Sequence, residues 1–176
     1  MESQNHHILI AFFSRPDENY SVGVVSQGNT EIMANYIAQK LNAETFKIEP
    51  VAPYPQKYDD AVMQATTERN TNARPKIANT IPDFSQYDTV FVGYPIWWGD
   101  LPMIMQTFFE SYDWTDKTII PFNTHEGSGE SGTYDYIAGL LPNAQILPGL
   151  AMAGHVARTE SAHDTIDNWL QELDLK

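Results

Sequence analysis

The chain has 176 residues, of which 23 are acidic and 10 are basic, so its formal net charge is −13, and it contains no cysteine. This length predicts a single domain, residues 1–176, whose core needs no disulfide, and the missing cysteine excludes thiol nucleophiles and cysteine-ligated metal clusters. The charge argues against nucleic acids and anionic membranes as partners. Since neither a signal peptide nor an apolar run of membrane-spanning length is visible, we expect no membrane insertion and a cytoplasmic location.

The first predicted strand leads into a turn that suits a phosphate. Residues 8–13 form a continuous apolar run, which is typical of a central strand buried on both faces of a parallel sheet. Further along, Gly28-Asn29-Thr30 opens a predicted helix over residues 31–41. The unsatisfied amides and hydroxyls of such a turn bind phosphate well. The alternative interpretation is an ordinary helix cap.

The rest of the chain continues this alternation of strands and helices. Further strands are predicted over residues 43–48, 89–94, 118–124 and 144–147. Further helices are predicted over residues 58–70, 103–112, 133–141 and 160–173. Pro121 interrupts the fourth strand and indicates a bulge or a locally unpaired amide, and residues 151–155 read as irregular. The alternation predicts an α/β fold with a parallel, doubly wound sheet.

Two more loops at the carboxyl ends of strands have an unusual composition. Trp97 and Trp98 follow the third strand, and because adjacent side chains diverge, we expect one in the core and the other at the surface, where a flat ligand would stack on it. Gly99 follows them, and Gly127 and Gly129 lie in the loop after the fourth strand. Glycines let the backbone approach a ring closely. A ligand with a phosphate, a flat ring and polar ring edges fits all three loops, and flavin mononucleotide (FMN) is such a ligand.

In this order, the loops resemble those of the flavodoxin family in its short-chain form, and the resemblance covers essentially the whole chain. The family's phosphate loop reads Ser/Thr-x-Thr-Gly-x-Thr. Ser14 matches its start and Gly28-Asn29-Thr30 matches its end, with residues 15–27 inserted between them. The resemblance implies a flavodoxin-like α/β fold, in which a doubly wound, five-stranded parallel sheet has strand order 2-1-3-4-5 and helices cover both faces.

The resemblance also implies FMN as the cofactor and assigns residues to it. Trp98-Gly99 matches the family's Trp-Gly after the third strand, which implies that Trp98 stacks on the isoalloxazine ring and that the Gly99 backbone lies near N5. Ser26 is the nearest match for the middle hydroxyl of the phosphate loop. Tyr134 is the nearest match for the second stacking residue, and the alternative is that it begins a helix. The implied cofactor-binding residues are Ser14, Ser26, Gln27, Gly28, Asn29, Thr30, Pro95, Ile96, Trp97, Trp98, Gly99, Thr124, His125, Glu126, Gly127, Ser128 and Gly129.

Three functions remain open at the level of sequence. The first is an electron carrier that docks on redox proteins with basic surfaces, and the acidic charge favours it. We expect such a carrier to be a monomer or a weak dimer. The second function is that of an NAD(P)H-dependent quinone or flavin reductase, which the insertion and His125 favour. The His125 side chain would then bond the flavin or a substrate; the alternative is a surface imidazole without a role. A scaffold that has lost the cofactor is the third. No catalytic residue or metal site is predicted, and the motifs of P-loop enzymes and serine hydrolases are missing from the sequence.

Overall fold

The computed structural model describes residues 7–19 and 22–175, which form strands and helices in alternation. The strands are β1 (Ile8–Phe12), β2 (Asp17–Asn19), β3 (Gly23–Val25), β4 (Glu44–Lys47), β5 (Thr89–Pro95), β6 (Thr118–His125), β7 (Gln145–Ile146) and β8 (Leu150–Ala153). The helices are α1 (Asn29–Leu41), α2 (Tyr58–Asn70), α3 (Met103–Glu110), α4 (Thr133–Leu140), α5 (Gly154–Ala157) and α6 (Ser161–Leu173). A 3₁₀ turn at Phe84–Gln86 precedes β5.

The main sheet confirms the predicted topology. Its order is β4-β1-β5-β6-β7, β8 also pairs with β6, and every pair in it is parallel. Numbered by the five predicted strands, this is the order 2-1-3-4-5. Among the described residues, β4 pairs in this sheet with β1 alone, so it is an edge strand, and its Glu44 and Lys47 suit that position.

The last strand is split beside Pro121. β7 ends opposite β6 with Ile119 paired to Ile146, and β8 resumes with Phe122 paired to Leu150. Between these two pairs, β6 advances by three residues whereas the segment from β7 to β8 advances by four, so that segment contains one extra residue. Proline has no amide to donate, so the break falls where a ladder bond is missing anyway. The prediction of a bulge or a locally unpaired amide at Pro121 agrees with this break, although β6 itself is continuous and the extra residue lies in the neighbouring segment. The prediction that residues 151–155 are irregular is wrong, because β8 extends to Ala153 and α5 follows it.

Both faces of the sheet are buried. Along β1, Ile8 and Ile10 pack in the layer that contains α1 and α6, whereas Leu9 and Ala11 pack in the layer that contains α3 and α4. This alternation explains why β1 is apolar at every position. Within the described ranges, no helix combines the length and apolar character needed to cross a membrane.

The insertion in the predicted phosphate loop contains a second, small sheet. β2 and β3 pair antiparallel, with Asp17 opposite Val25 and Asn19 opposite Gly23. Arg15, at the base of this hairpin, is buried, and its Nη2 donates to the carbonyls of Pro55 and Gln56 at 2.7 and 2.8 Å. These bonds fasten the hairpin to the segment that precedes α2. The sequence did not predict this hairpin.

Candidate functional site

The carboxyl ends of three neighbouring strands bring the predicted loops together at one edge of the sheet. β1 and β6 both pair with β5, so the segments after these strands lie side by side. They border a cleft of about 300 Å³. The predicted site residues that line it are Asn29, Pro95, Ile96, Trp97, Trp98, Gly99, Thr124, His125, Glu126 and Ser128. Open α/β sheets bind ligands at this position.

The remaining predicted residues lie around the cleft rather than on its wall. Ser26 is exposed and Gln27 is half-buried in the segment before α1. Gly127 and Gly129 lie in the loop after β6 with positive φ angles of 106° and 63°, and a Cβ built on either would meet no atom within 4 Å. The space beside these two glycines is therefore open.

Ser14 and Gly28 build the start of α1. Gly28 is the N-cap residue, and the Ser14 hydroxyl accepts a hydrogen bond from the Glu31 amide at 3.0 Å. A Cβ on Gly28 would lie 2.3 Å from Ser14 Oγ and 2.6 Å from the carbonyl oxygen of Arg15. The end of β1 and the start of α1 are thus in direct contact, although the insertion separates them in the sequence. Ser14 supplies the side-chain cap that the N-cap glycine lacks.

Thr30 and Thr124 join the two sides of the site below the cleft. Their hydroxyl oxygens are 2.8 Å apart, and both side chains are buried. One hydroxyl donates to the other, which satisfies both polar groups away from water. The bond fixes the first turn of α1 against the end of β6.

Trp97 and Trp98 point in different directions, as expected. Trp97 packs edge-on against Phe13 and Tyr54, with ring centroids 5.4 and 5.0 Å apart. Trp98 is 51% exposed. Trp97 and Asp100 exchange backbone hydrogen bonds of 2.9 and 3.0 Å around the two residues between them.

The turn that presents Trp98 has an uncommon backbone conformation. Its central residues, Trp98 and Gly99, have φ angles of 55° and 67°. Positive φ at both central positions is the signature of a type I′ turn, where glycine, asparagine and aspartate are the usual residues. A bulky residue in this region is strained, and such strain clusters at functional sites. The strain supports a role for the exposed indole in the cleft.

Asn123 anchors the glycine-rich loop from below. Its side chain is fully buried; Nδ2 donates to the Gly129 carbonyl at 3.0 Å and Oδ1 accepts from the Tyr134 hydroxyl at 2.5 Å. Tyr134 therefore belongs to α4 and supports the loop from inside the protein. Tyr134 lies in the first turn of α4, which agrees with the alternative that it begins a helix, and it is not among the residues that line the cleft.

His125 lies at the end of β6 on the cleft wall, and its tautomer is fixed. The Gly127 amide donates to His125 Nδ1 at 3.0 Å. A nitrogen that accepts this bond carries no proton, so the neutral ring has its proton on Nε2. Burial lowers the pKa of His125, with His155 lowering it further and Glu126 opposing both. His125 is thus a neutral hydrogen-bond donor beside the cleft.

We expect stability to depend on this imidazole below neutral pH. Since the pKa in the folded state lies below the usual 6.5, the unfolded chain binds the proton more readily, and the contribution of His125 to stability is complete above 6.5 and lost as the pH falls. In chemical denaturation at several pH values, His125→Gln should lose less stability than the wild type between about pH 7 and 5. Parallel pH profiles for the two proteins would contradict this assignment.

The sequence-based prediction did not include one wall of the cleft. It consists of one face of α2 and part of the inserted hairpin, and its residues are Arg15, Asn19, Tyr58, Ala61, Val62 and Ala65. The apolar face of α2 was visible in the sequence, but an apolar helix face indicates core packing unless the position of the insertion is known. Ala61, Val62 and Ala65 make the α2 part of this wall apolar.

Comparisons with known proteins agree with this architecture. The crystal structure of a candidate flavoprotein from Bacteroides eggerthii is 27% identical, with a TM-score of 0.78 over 98% of this chain and 100% of that one. A second one, from Bacteroides uniformis, is 24% identical, with a TM-score of 0.75 over 93% and 97%. A flavoprotein from Lactobacillus acidophilus, solved in complex with FMN, is 17% identical, with a TM-score of 0.66 over 93% and 98%. No curated protein matches the sequence significantly.

The sequence itself gives the family. The family model described as Flavodoxin matches residues 8–173, which is nearly the whole chain. The matched range begins at β1 and ends with α6, so it includes every strand and loop that forms the cleft. The chain therefore belongs to the flavodoxin family.

Proposed function

We propose that this protein binds FMN in the cleft and carries electrons between redox partners. The observation that supports it most is the meeting of three chemically different loops at one sheet edge: the start of α1, the turn of Trp98, and the glycine-rich loop after β6. The Lactobacillus acidophilus relative, which has the same fold, was solved with FMN.

The residues present fit this cofactor. In the first turn of α1, the amides of Asn29 and Thr30 have no partner within the helix, as in every helix, and the positive end of the helix dipole favours a phosphate there. The exposed indole of Trp98 offers a flat surface for an isoalloxazine ring. A Cβ on Gly99 would meet no atom within 4 Å, so the backbone beside that indole is open to a ring edge.

When bound, FMN supplies reversible electron transfer, and the protein's own residues position it. Trp98 would offer its exposed face to the ring, and Trp97 holds the base of the turn through its contacts with Phe13 and Tyr54. His125, with its proton on Nε2, would be a donor to the ring. The α2 wall would exclude water from that side of the cleft.

The carrier role is supported by charge. The chain's net charge of −13 attracts a partner with a basic docking surface, and the half-exposed Trp98 leaves the cofactor region accessible to a protein. A cytoplasmic location and a monomeric or weakly dimeric state complete the proposal.

A second function, NAD(P)H-dependent reduction of quinones or similar acceptors, is favoured by one observation. The hairpin and α2 add a wall beside the cleft, with Ala61 and Val62 facing it. An apolar wall of this kind suits a small flat substrate. His125, as a neutral donor, would then bond a substrate carbonyl.

The test has two stages. We expect the purified protein to quench FMN fluorescence at micromolar concentrations; no quenching and no flavin absorbance would support the cofactor-free scaffold instead. The reduced holoprotein should then pass electrons to cytochrome c, a basic redox protein, at a rate that falls with ionic strength. Rapid oxidation of NADH or NADPH by a quinone, without salt-dependent reduction of cytochrome c, would replace the carrier with the reductase.

A further inference from the structure

An arginine from the far end of the chain reaches the start of α1. Arg158 follows the short helix α5, and its Nη1 donates to the Gln27 carbonyl at 3.0 Å and to Asn29 Oδ1 at 2.8 Å. Asn29 is the first residue of α1 and lines the cleft. Arg158 is thus a cation beside the turn that the proposed function assigns to the phosphate.

A carboxylate approaches the same asparagine from the other side. Glu126 Oε1 accepts a hydrogen bond from the His155 amide at 3.2 Å, and Oε2 lies 3.1 Å from His155 Nδ1. Gly154 is packed between the two groups: a Cβ on it would lie 2.3 Å from Asn29 Nδ2 and 2.5 Å from Glu126 Oε1. Asn29 therefore stands between a positive and a negative side chain.

We infer that Arg158 and Glu126 together set how strongly the site prefers a phosphorylated flavin over one without phosphate. This inference rests on the proposed function. Arg158 attracts the phosphate and Glu126 repels it, while neither charge acts strongly on riboflavin, which has the same ring and no phosphate. The two residues tune the discrimination in opposite directions.

The chemistry of the two side chains supports this division. A guanidinium presents a planar set of donors that matches phosphate oxygens. A phosphate monoester carries a charge of about −1.5 to −2 near pH 7, so a neighbouring carboxylate opposes it. The hydrogen bonds of Glu126 to His155 hold the carboxylate in place, which keeps the repulsion at a fixed position.

The experiment compares FMN with riboflavin by fluorescence quenching at low ionic strength. Arg158→Gln should weaken FMN binding roughly three- to tenfold, equivalent to about 0.7–1.4 kcal/mol, and leave riboflavin binding unchanged. Glu126→Gln keeps an acceptor for His155 and should strengthen FMN binding about two- to fivefold. Arg158→Lys, which keeps the charge, should retain most of the preference. Arg74→Gln is the control, because Arg74 bonds Glu110 and Asn72 on the surface.

Each outcome bears on one claim. If the wild type binds FMN but Arg158→Gln lowers the affinity for FMN and riboflavin equally, Arg158 only supports Asn29 and the inference is overturned. If Arg158→Lys lost as much of the preference for FMN over riboflavin as Arg158→Gln does, the inference would also be overturned, because the positive charge would then not matter. A wild type that binds neither flavin refutes the proposed function together with the inference. A preference for FMN that decreases with added salt supports it.

Discussion

Trp97→Ala is expected to lower the free energy of unfolding by about 3–5 kcal/mol, whereas Trp98→Ala should change it by no more than about 0.5 kcal/mol. Trp97 packs edge-on against both Phe13 and Tyr54 and is partly buried, so its removal would strip both rings of this contact and leave a space beside them. Trp98 is half-exposed and makes its proposed contact with the cofactor. For FMN binding we therefore expect Trp98→Ala to cause the direct loss, about tenfold or more.

Urea denaturation of both apoproteins and FMN titration of both folded variants would separate the two roles. Trp98→Phe serves as the matched control, since it keeps an aromatic face and should retain most of the affinity. If Trp98→Ala lowered the free energy of unfolding as much as Trp97→Ala, the assignment of core and surface roles would be refuted. If only Trp97→Ala weakened binding in samples that are fully folded, the stacking role would belong to Trp97.

The second large effect is expected at Gly28. In Gly28→Ala, the new methyl group would lie 2.6 Å from the Arg15 carbonyl oxygen, which is backbone and cannot rotate away as the Ser14 hydroxyl can. The start of α1 must then move from the end of β1. We expect a loss of about 1–3 kcal/mol in stability and a fall of at least about tenfold in FMN affinity.

Gly139→Ala provides the comparison for this variant. Gly139 lies in α4, where an added Cβ meets no atom within 4 Å, and alanine is the better helix former. Calorimetry should show Gly139→Ala at least as stable as the wild type, with unchanged FMN binding. If Gly28→Ala also kept the stability and the FMN affinity of the wild type, the close contact between β1 and α1 would not be required for either property.

The parallel sheet was predictable because its signal is local. Residues 8–13 and 89–94 are apolar at every position, which indicates strands buried on both faces, and their spacing by helices determines a parallel arrangement. The divergence of Trp97 and Trp98 followed from backbone geometry alone. These properties depend on a few neighbouring residues, so a single sequence contains them.

The missed parts of the site depend on contacts between distant segments. The strands β2 and β3 are held in position by the bonds of Arg15 to Pro55 and Gln56, about 40 residues away in the chain. Arg158 reaches Asn29 across an even longer separation, and its only sequence signal was an isolated arginine in an acidic segment. The sequence left two roles open for Tyr134, ligand stacking and the start of a helix, because residue type does not reveal the direction of a side chain.

The extra residue opposite Pro121 also decides which side of the sheet the end of the chain belongs to. Ile146 packs in the layer of α3 and α4, but Leu150 and Met152, which are an even number of residues away, pack in the layer of α1 and α6. Side chains alternate along a strand, so only an odd insertion exchanges the two faces. One inserted residue opposite a proline thus exchanges the faces of the last strand, so that Leu150 and Met152 of β8 join the layer of α1, the helix whose first residue is bonded by Arg158.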